Sequence, residues 1–343
     1  SLQDASFAPW HGLLSRKDAH TYFIPVMRSC FLDTIQKGIL LYLLPMNEHF
    51  QSLILQSTGA TALSQKAIIQ ELWSGYGKIM RIGLTGANAS SVVVKHVQLP
   101  RQQNHPRGWN TDIGHQRKVK SYQVEMNWYK SFSSYSKARL PQCLALEIYE
   151  GEVLMVLEDL DEAGFPLRKR SVSWKEIEAC LTWLAQIHAS YLGKEPEGRW
   201  EGGTYWHLAT RPQELEVLDD HALQKAAARI DEKLNTCTYQ TFVHGDAKLA
   251  NFCFGQDGQV AGVDFQYVGG GCGMKDVAYF IGSCLNERDC ERLEGQILDT
   301  YFGYLHSAWG ERNDDEILQP NAEFPDSSGC WSTYAINLKQ VAK

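Results

Sequence analysis

The densest group of residues that could do chemistry lies between Thr241 and Phe280. Within it, the sequence Phe-Val-His-Gly-Asp-Ala-Lys-Leu-Ala-Asn places an acid (Asp246), a lysine (Lys248) and an amide (Asn251) in one loop. Acid and amide oxygens are ligands that hard cations prefer, and an acid can also orient a proton. The spacing therefore indicates a site for polar catalysis.

A short hairpin follows this loop and brings a second acid to the same place. Two apolar strands, Phe252 to Phe254 and Val260 to Val263, are joined through Gly-Gln-Asp-Gly, which has the composition of a tight turn. Because a hairpin returns its end beside its beginning, Asn251 before it and Asp264 after it meet at one open edge. Their two oxygens predict a Mg²⁺ site.

The motif His-Gly-Asp-x-x-x-x-Asn, followed by a strand pair and Asp-Phe, resembles the kinase-like family that includes aminoglycoside phosphotransferases, choline kinases and ecdysteroid-kinase-like proteins. The triplet Asp264-Phe265-Gln266 leans toward the last of these groups. The resemblance covers roughly residues 50 to 310. Outside the loop it is carried by Gly75-x-Gly77, Val-Val-Val-Lys95, a helical Glu125, Leu-Glu158-Asp159-Leu160 and the segment Leu184 to Ala189.

This resemblance implies a fold and a reaction. The fold is α+β and protein-kinase-like, with a β-rich N-lobe, a helical C-lobe and an ATP cleft between them. The implied cofactors are ATP and Mg²⁺. We expect residues 1–48 to form an N-terminal extension, residues 49–158 the nucleotide-binding N-lobe, and residues 159–343 the C-lobe for catalysis and substrate binding.

Phosphoryl transfer needs mainly positioning and charge neutralisation, and the resemblance assigns these tasks to particular residues. Asp246 accepts or orients the substrate hydroxyl proton, and Lys248 reaches the γ-phosphate. Lysine is usual at this position in serine/threonine protein kinases, whereas aminoglycoside phosphotransferases commonly have histidine. Asn251 and Asp264 hold Mg²⁺. The implied nucleotide-binding residues are Lys95, which pairs with the α- and β-phosphates, Glu125, which fixes the Lys95 ammonium, and Gly75, Gly77, Glu158 and Leu160.

Local patterns indicate the elements that position these residues in the first half of the chain. Apolar residues at Phe50, Leu53 and Ile54, and again at Ala67, Ile68 and Leu72, predict short helices before a glycine hairpin at residues 73–77. The β-branched run 92–94 predicts a buried strand with Lys95 at its tip. We expect a helix over 116–132 and a strand over 154–157.

The second half of the chain reads as mainly helical. Ser173 and Glu176 have capping-box spacing at the start of a helix that carries His188. Further helices are expected over residues 212–235 and 286–309, the latter with an apolar stripe. Strands followed by helices indicate α+β architecture.

Several residues near the motif have structural interpretations. His188 and His244 are expected to brace the core and the loop. Asp276 resembles the carboxylate that pins the catalytic-loop backbone in this family. The aromatic residues Trp200, Tyr205 and Trp206 belong either to the core or to a substrate wall. The glycine run 269–273 is interpreted as a flexible segment, because no Gly-Lys-Ser/Thr P-loop follows it.

Composition excludes several classes of protein. The formal net charge of −7 offers no electrostatic footprint for nucleic acid. The nine cysteines are odd in number and form no Cys-x-x-Cys pair, which favours reduced thiols in the cytoplasm over zinc sites or disulfides. The apolar run 39–46 is too short to cross a bilayer, so no signal peptide, membrane span or membrane partner is expected.

The expected function is an O-kinase for a small-molecule alcohol. Only about ten residues separate Asp264 from the helix expected near Lys275, too few for the activation segment with which protein kinases display a peptide, so no protein substrate is expected. The alternative is a catalytically silent nucleotide-binding pseudokinase. The substrate is either a sterol-like or other multi-ring alcohol or an amine-bearing one. A hydrolase lacks a positioned nucleophile.

Overall fold

Five antiparallel strands form the first half of the described fold. The structure, a computed structural model, describes residues 46–72, 75–98, 112–206, 208–237 and 239–310. The strands are β1 (Ala62–Glu71), β2 (Gly77–Thr85), β3 (Ser91–Gln98), β4 (Cys143–Tyr149) and β5 (Glu152–Glu158), in the order β1-β2-β3-β5-β4. Helix α1 (Glu48–Thr58) precedes them, and α2 (Asp112–Ser131) lies between β3 and β4 in the chain. Most of the expected N-terminal extension lies outside the described residues, as do Trp73 and Ser74.

The sheet has two covered faces, and alternation along β3 assigns residues to them. Val94 belongs to the apolar cluster that includes Phe50 and Ile54 of α1, whereas Val97 belongs to the larger cluster that includes Trp128 of α2. Because successive side chains of a strand point to opposite faces, Lys95 lies on the α2 face. It was expected at the strand tip. That prediction is wrong, since Lys95 is paired with Ile79 and Met155 inside the sheet.

The expected helix around Ala67, Ile68 and Leu72 is also wrong. Residues 62–71 form the edge strand β1, which pairs with β2 along its length and has two register shifts. Short apolar runs fit helix and strand equally well, and here backbone pairing across the glycine hairpin decides the outcome. The hairpin itself and the helix around Phe50 are confirmed.

Helices dominate the remainder of the described chain. They are α3 (Trp174–Tyr191), α4 (Pro212–Glu216), α5 (His221–Asn235), α6 (Met274–Cys284) and α7 (Glu287–Gly310). The capping box of α3 is confirmed, with the Glu176 carboxylate accepting from the Ser173 backbone N–H at 2.7 Å. The single helix expected over 212–235 is two helices, because the Asp220 carboxylate accepts from the N–H groups of Ala222 and Leu223 and so starts α5.

Short strands carry the motif region. Strands β7 (Phe252–Phe254) and β8 (Val260–Gly262) form the expected antiparallel hairpin, and β6 (Thr241–Val243) pairs with β9 (Gly269–Gly271). The glycine run is therefore strand rather than a flexible segment. Its glycines are required for space, since a Cβ on Gly269 would lie 2.2 Å from the Trp200 carbonyl oxygen. None of the helices in the described part of the chain has the length and apolar character of a membrane span.

The hairpin packs on α3 through a glycine, and this contact generates a stability prediction. A Cβ on Gly262 would lie 2.2 Å from the ring of Trp183, which is buried and donates to the Arg139 carbonyl oxygen. Gly262→Ala is therefore expected to lower the free energy of unfolding by about 1–3 kcal/mol through overpacking, as measured by chemical denaturation.

Gly295→Ala is the matched control. Gly295 lies on an exposed part of α7 with nothing within 4 Å of its added Cβ, so this change should stabilise the protein by about 0.5–1 kcal/mol. Equal effects of the two changes would contradict the packing argument.

Candidate active site

A buried ion pair joins the sheet to helix α2. The Lys95 ammonium lies 2.5 Å from the Glu125 carboxylate, and both side chains are almost wholly buried. On its other side the same ammonium lies 3.6 Å from Oδ1 of Asp264. Three residues expected at the site from the sequence are thus in contact.

Opposite charges in this cluster favour the charged forms of Lys95 and Asp264, whereas burial raises the pKa of Glu125. Burial disfavours the Lys95 ammonium, but the carboxylates of Glu125 and Asp264 outweigh that effect and raise its pKa. Burial likewise disfavours ionised Asp264, but the Lys95 and Lys118 ammonium groups lower its pKa. Lys95 therefore stays cationic and Asp264 stays anionic near neutral pH.

Asp264 follows the β7–β8 hairpin in a strained conformation. Its φ of 70° lies in the left-handed region, which costs an ordinary residue about 1 kcal/mol or more. Gln266 donates a hydrogen bond to its Oδ1 from the next turn. About one-third of the Asp264 side chain is exposed, so the carboxylate is held in place with one side open.

The loop between β6 and β7 holds the other motif residues. Oδ2 of Asp246 accepts hydrogen bonds from Lys248 Nζ at 2.8 Å and from Asn251 Nδ2 at 3.1 Å. Oδ1 of Asp246 is buried and accepts no hydrogen bond of good geometry from the described residues, although the Tyr279 hydroxyl lies close to the carboxylate. Buried polar atoms are seldom left unpaired, so this oxygen is where a further group can bind.

The Asp246 and Asp264 segments are linked through Asn251. The backbone oxygen of Asn251 accepts a hydrogen bond from the N–H of Val263, the residue before Asp264, at 3.0 Å. The side-chain amide oxygen of Asn251 accepts no hydrogen bond from a described residue. Within the described ranges, no group of three or more His, Cys, Asp and Glu side chains could bind a metal by itself. A magnesium ion here fits only with added oxygens, and phosphates supply such ligands.

Asp276 stabilises the loop between β6 and β7 through contacts with its backbone. Its carboxylate accepts from the backbone N–H groups of His244 at 2.5 Å and Gly245 at 2.8 Å, and it lies 3.0 Å from His188 Nε2. The His244 ring contacts the Val263 carbonyl oxygen at 3.0 Å. The structural interpretations of His188, His244 and Asp276 are confirmed by these contacts.

Both glycines of the β1–β2 hairpin have positive φ, 73° at Gly75 and 126° at Gly77. A Cβ on Gly77 would lie 2.0 Å from the His96 carbonyl oxygen, whereas one on Gly75 would meet nothing. Gly77 is thus needed for the close approach of β2 to β3. It lies two positions from Ile79, the residue paired with Lys95.

Glu158 and Leu160 stand apart from the charged cluster. The Glu158 carboxylate is paired with Arg139 at 2.7 Å, and the Leu160 side chain is buried in a small apolar cluster with Phe165. The Leu160 carbonyl oxygen accepts from the Phe165 N–H. Their nucleotide-binding role stays a prediction, and it would have to use other backbone atoms.

Sequence reasoning missed a second cation at this site. Nζ of Lys118 lies 2.7 Å from Gln266 Oε1 and over the Tyr122 ring, and burial together with nearby Lys95 lowers its pKa to about 8. The signal was available, because Lys118 and Glu125 are seven residues apart and so share a face of α2.

The fold and this site define a kinase-like phosphotransferase. The family model described as "Phosphotransferase enzyme family" matches residues 133–314, just over half of the chain. The chain belongs to the phosphotransferase enzyme family. The expected class, a small-molecule kinase, and the expected α+β fold are confirmed.

Three solved structures, two of kinases and one of a phosphotransferase, are among those similar to this chain. A microcompartment-associated aminopropanol kinase is 12% identical over 86% of this chain and 89% of its own, with a TM-score of 0.45. An aminoglycoside phosphotransferase from Streptomyces rimosus is 13% identical over 87% and 99%, with a TM-score of 0.44. A choline kinase from Streptococcus pneumoniae is 14% identical over 86% and 99%, with a TM-score of 0.40. Among curated protein sequences, none matches the chain.

The contacts of the Asp276 carboxylate with the catalytic loop and His188 lead to a prediction about how stability depends on pH. Asp276→Asn replaces a carboxylate oxygen that accepts two hydrogen bonds, so we expect the free energy of unfolding near neutral pH to fall by about 3–5 kcal/mol. Burial alone would raise the pKa of Asp276, but its bonds to His188 and the loop lower it. Its stabilisation is therefore present above the unfolded pKa of about 3.9 and is lost as the pH falls through the folded value.

The difference between wild type and Asp276→Asn should accordingly shrink below about pH 4 in denaturation curves. Asp299→Asn, at an exposed position of α7, is the control and should change stability by less than about 0.5 kcal/mol. A difference that is constant with pH would show that the carboxylate charge is not what stabilises the loop.

Proposed function

We propose that the protein transfers the γ-phosphate of ATP to a hydroxyl group of a small molecule, with Mg²⁺ as cofactor. The observation that carries the proposal is the unpartnered, buried Oδ1 of Asp246. A hydroxyl group that donates to this oxygen would satisfy it. Asp264 and Lys95, on the other side of Asn251, supply the charges that a nucleotide and its metal require.

In the proposed step, the substrate oxygen bonds to the γ-phosphorus, and the bond from that phosphorus to the bridging oxygen breaks, releasing ADP. Asp246 orients the hydroxyl group and takes its proton. Lys248, which is held by Asp246 and is partly exposed, reaches the transferred phosphate. Lys95 is rigidly held by Glu125 and pairs with the other phosphates. Mg²⁺, when bound, would neutralise phosphate charge between Asn251 and Asp264.

The remaining residue assignments complete the nucleotide-binding half of this proposal. We assign Gly75 and Gly77 to the cover of the phosphates, and Glu158 and Leu160 to the edge of the nucleotide site by backbone contact. We also propose that the boundary between the N-lobe and the C-lobe lies near Glu158. A cytoplasmic location stays a prediction.

The first experiment measures ADP release from MgATP with amino alcohols, aminoglycosides, sugars and steroid alcohols as acceptors. The expected result is a rate that depends on one class of acceptor and falls by about 10²–10⁴-fold in Asp246→Asn, because the variant cannot accept the proton. Asp299→Asn should retain the wild-type rate. MgATP binding without acceptor-dependent ADP release would instead support the pseudokinase alternative.

A second experiment on the proposed function tests the affinity for the nucleotide. Lys95→Met removes a charge-assisted contact to phosphate, so MgATP affinity measured by calorimetry should fall about 10- to 100-fold. Lys130→Met, at an exposed position near the end of α2, is the matched control and should bind as wild type.

Because Lys95→Met leaves the Glu125 carboxylate buried without its partner, thermal unfolding of both variants is measured first. Binding is then compared at a temperature where both are folded. Unchanged affinity in folded Lys95→Met would contradict the assigned role.

A further inference from the structure

A cavity of about 580 Å³ opens beside the catalytic loop, between helices α4, α5 and α6. Its size lies within the range of sites for small organic ligands. The lining is largely apolar and includes Leu215, Leu218, Leu223, Ile230, Leu234 and Met274. None of these side chains belongs to the cluster of charges around Lys95.

One end of the cavity reaches the catalytic loop. Gly245, the residue before Asp246, lines it, and so do Trp206 and Tyr279. The Tyr279 hydroxyl is close enough to Asp246 that the carboxylate, after burial, raises its pKa. The backbone N–H of Tyr205 donates to the Gly245 carbonyl oxygen at 2.6 Å and ties the Trp206 segment to the loop. A ligand in the cavity could therefore present a hydroxyl group to Asp246.

The aromatic residues of this region divide between two tasks. Trp200 is buried, stacks on Tyr267 and donates to the Gln266 carbonyl oxygen, so it belongs to the core. Trp206 is about half exposed and lines the cavity, which fits the substrate-wall interpretation. The neighbouring His207 lies outside the described residues.

Each charged side chain that lines the cavity already interacts with another group of the protein. Arg211 contacts Glu214 at 2.8 Å, and Lys275 lies near Asp231 and donates to Asn235. Both oxygens of Asp276 accept hydrogen bonds from the loop. The lining has three carboxylates and two cations, but Glu214 and Asp231 each lie near a cation and Asp276 is held by the loop. An amine in the cavity would therefore lose hydration without gaining a free carboxylate as partner.

One polar group in the lining is unmatched. Nη2 of Arg211 is buried without a hydrogen-bond partner among the described residues, although the guanidinium stacks on Tyr205 and Trp206. Because Glu214 balances its charge, the fitting partner is a neutral oxygen rather than an anion.

We propose that this cavity is the acceptor site and that it selects a neutral, largely apolar alcohol whose skeleton packs on α5 and whose second oxygen accepts from Arg211. The inference rests on the proposed function for its chemistry and names its substrate class. Amine-bearing alcohols such as aminoglycosides and choline are disfavoured, because the cavity offers apolar surface and no free carboxylate.

The test measures binding directly, by calorimetry in the presence of MgADP, with estradiol, testosterone and dodecanol as neutral probes and kanamycin and choline as amine probes. Two variants of adjacent residues in α5 are compared. Ala227→Trp places a ring in the cavity, whereas Ala228→Trp places the same ring on the exposed side of the helix. Circular dichroism and thermal unfolding confirm that both are folded.

We expect at least one neutral probe to bind at least about tenfold more tightly than either amine. Ala227→Trp should weaken the affinity for that probe about tenfold or more, whereas Ala228→Trp should leave the affinity within about twofold of wild type. Tighter binding of an amine, no binding of any neutral probe, or equal effects of the two variants would each overturn the inference. If neutral probes bind but wild type phosphorylates no acceptor, the proposed function and the assignment as an acceptor site fail, and only the preference of the cavity for a neutral ligand stands.

Discussion

The buried ammonium group of Lys95 is the contact on which the site depends, because it joins three separate parts of the chain. It lies within the central strand β3, pairs with Glu125 of α2 and faces Asp264 after the β7–β8 hairpin. A buried charge is tolerated only when it is paired, so the sheet, the helix and the hairpin must pack in one relative arrangement. The same requirement that orders these elements leaves the ammonium and the Asp264 carboxylate side by side.

The catalytic loop depends on a second buried charge. Asp276 lies in the first turn of α6 and accepts hydrogen bonds from the loop backbone, and His188 of α3 contacts the same carboxylate. This arrangement fixes the loop without using the Asp246 side chain. Asp246 is consequently free to keep one oxygen unpaired, which an unsupported buried loop would not sustain.

The fold and the charged site could be predicted where local chemistry decides the structure. The hairpin around Asp257 and the capping box of α3 are specified by a few adjacent residues, and both were predicted correctly. Predictions failed where distant pairing decides. Residues 67–71 form a strand because they pair with β2, and Lys95 lies in mid-strand rather than at the expected tip because β2 and β5 extend past it. Neither pairing is visible in the local pattern.

Substrate specificity has a different origin from the reaction chemistry, and the cavity shows why. The groups that could handle phosphate occur at fixed spacing in a loop and hairpin, where a motif records them. The cavity is lined by residues of α4, α5 and α6 whose spacing is only that of amphipathic helices. A leucine stripe that faces a cavity has the same sequence pattern as one that faces the core. The class of acceptor is therefore decided by how these helices pack. The Arg211–Glu214 ion pair and the position of Lys275 near Asp231 favour a neutral acceptor.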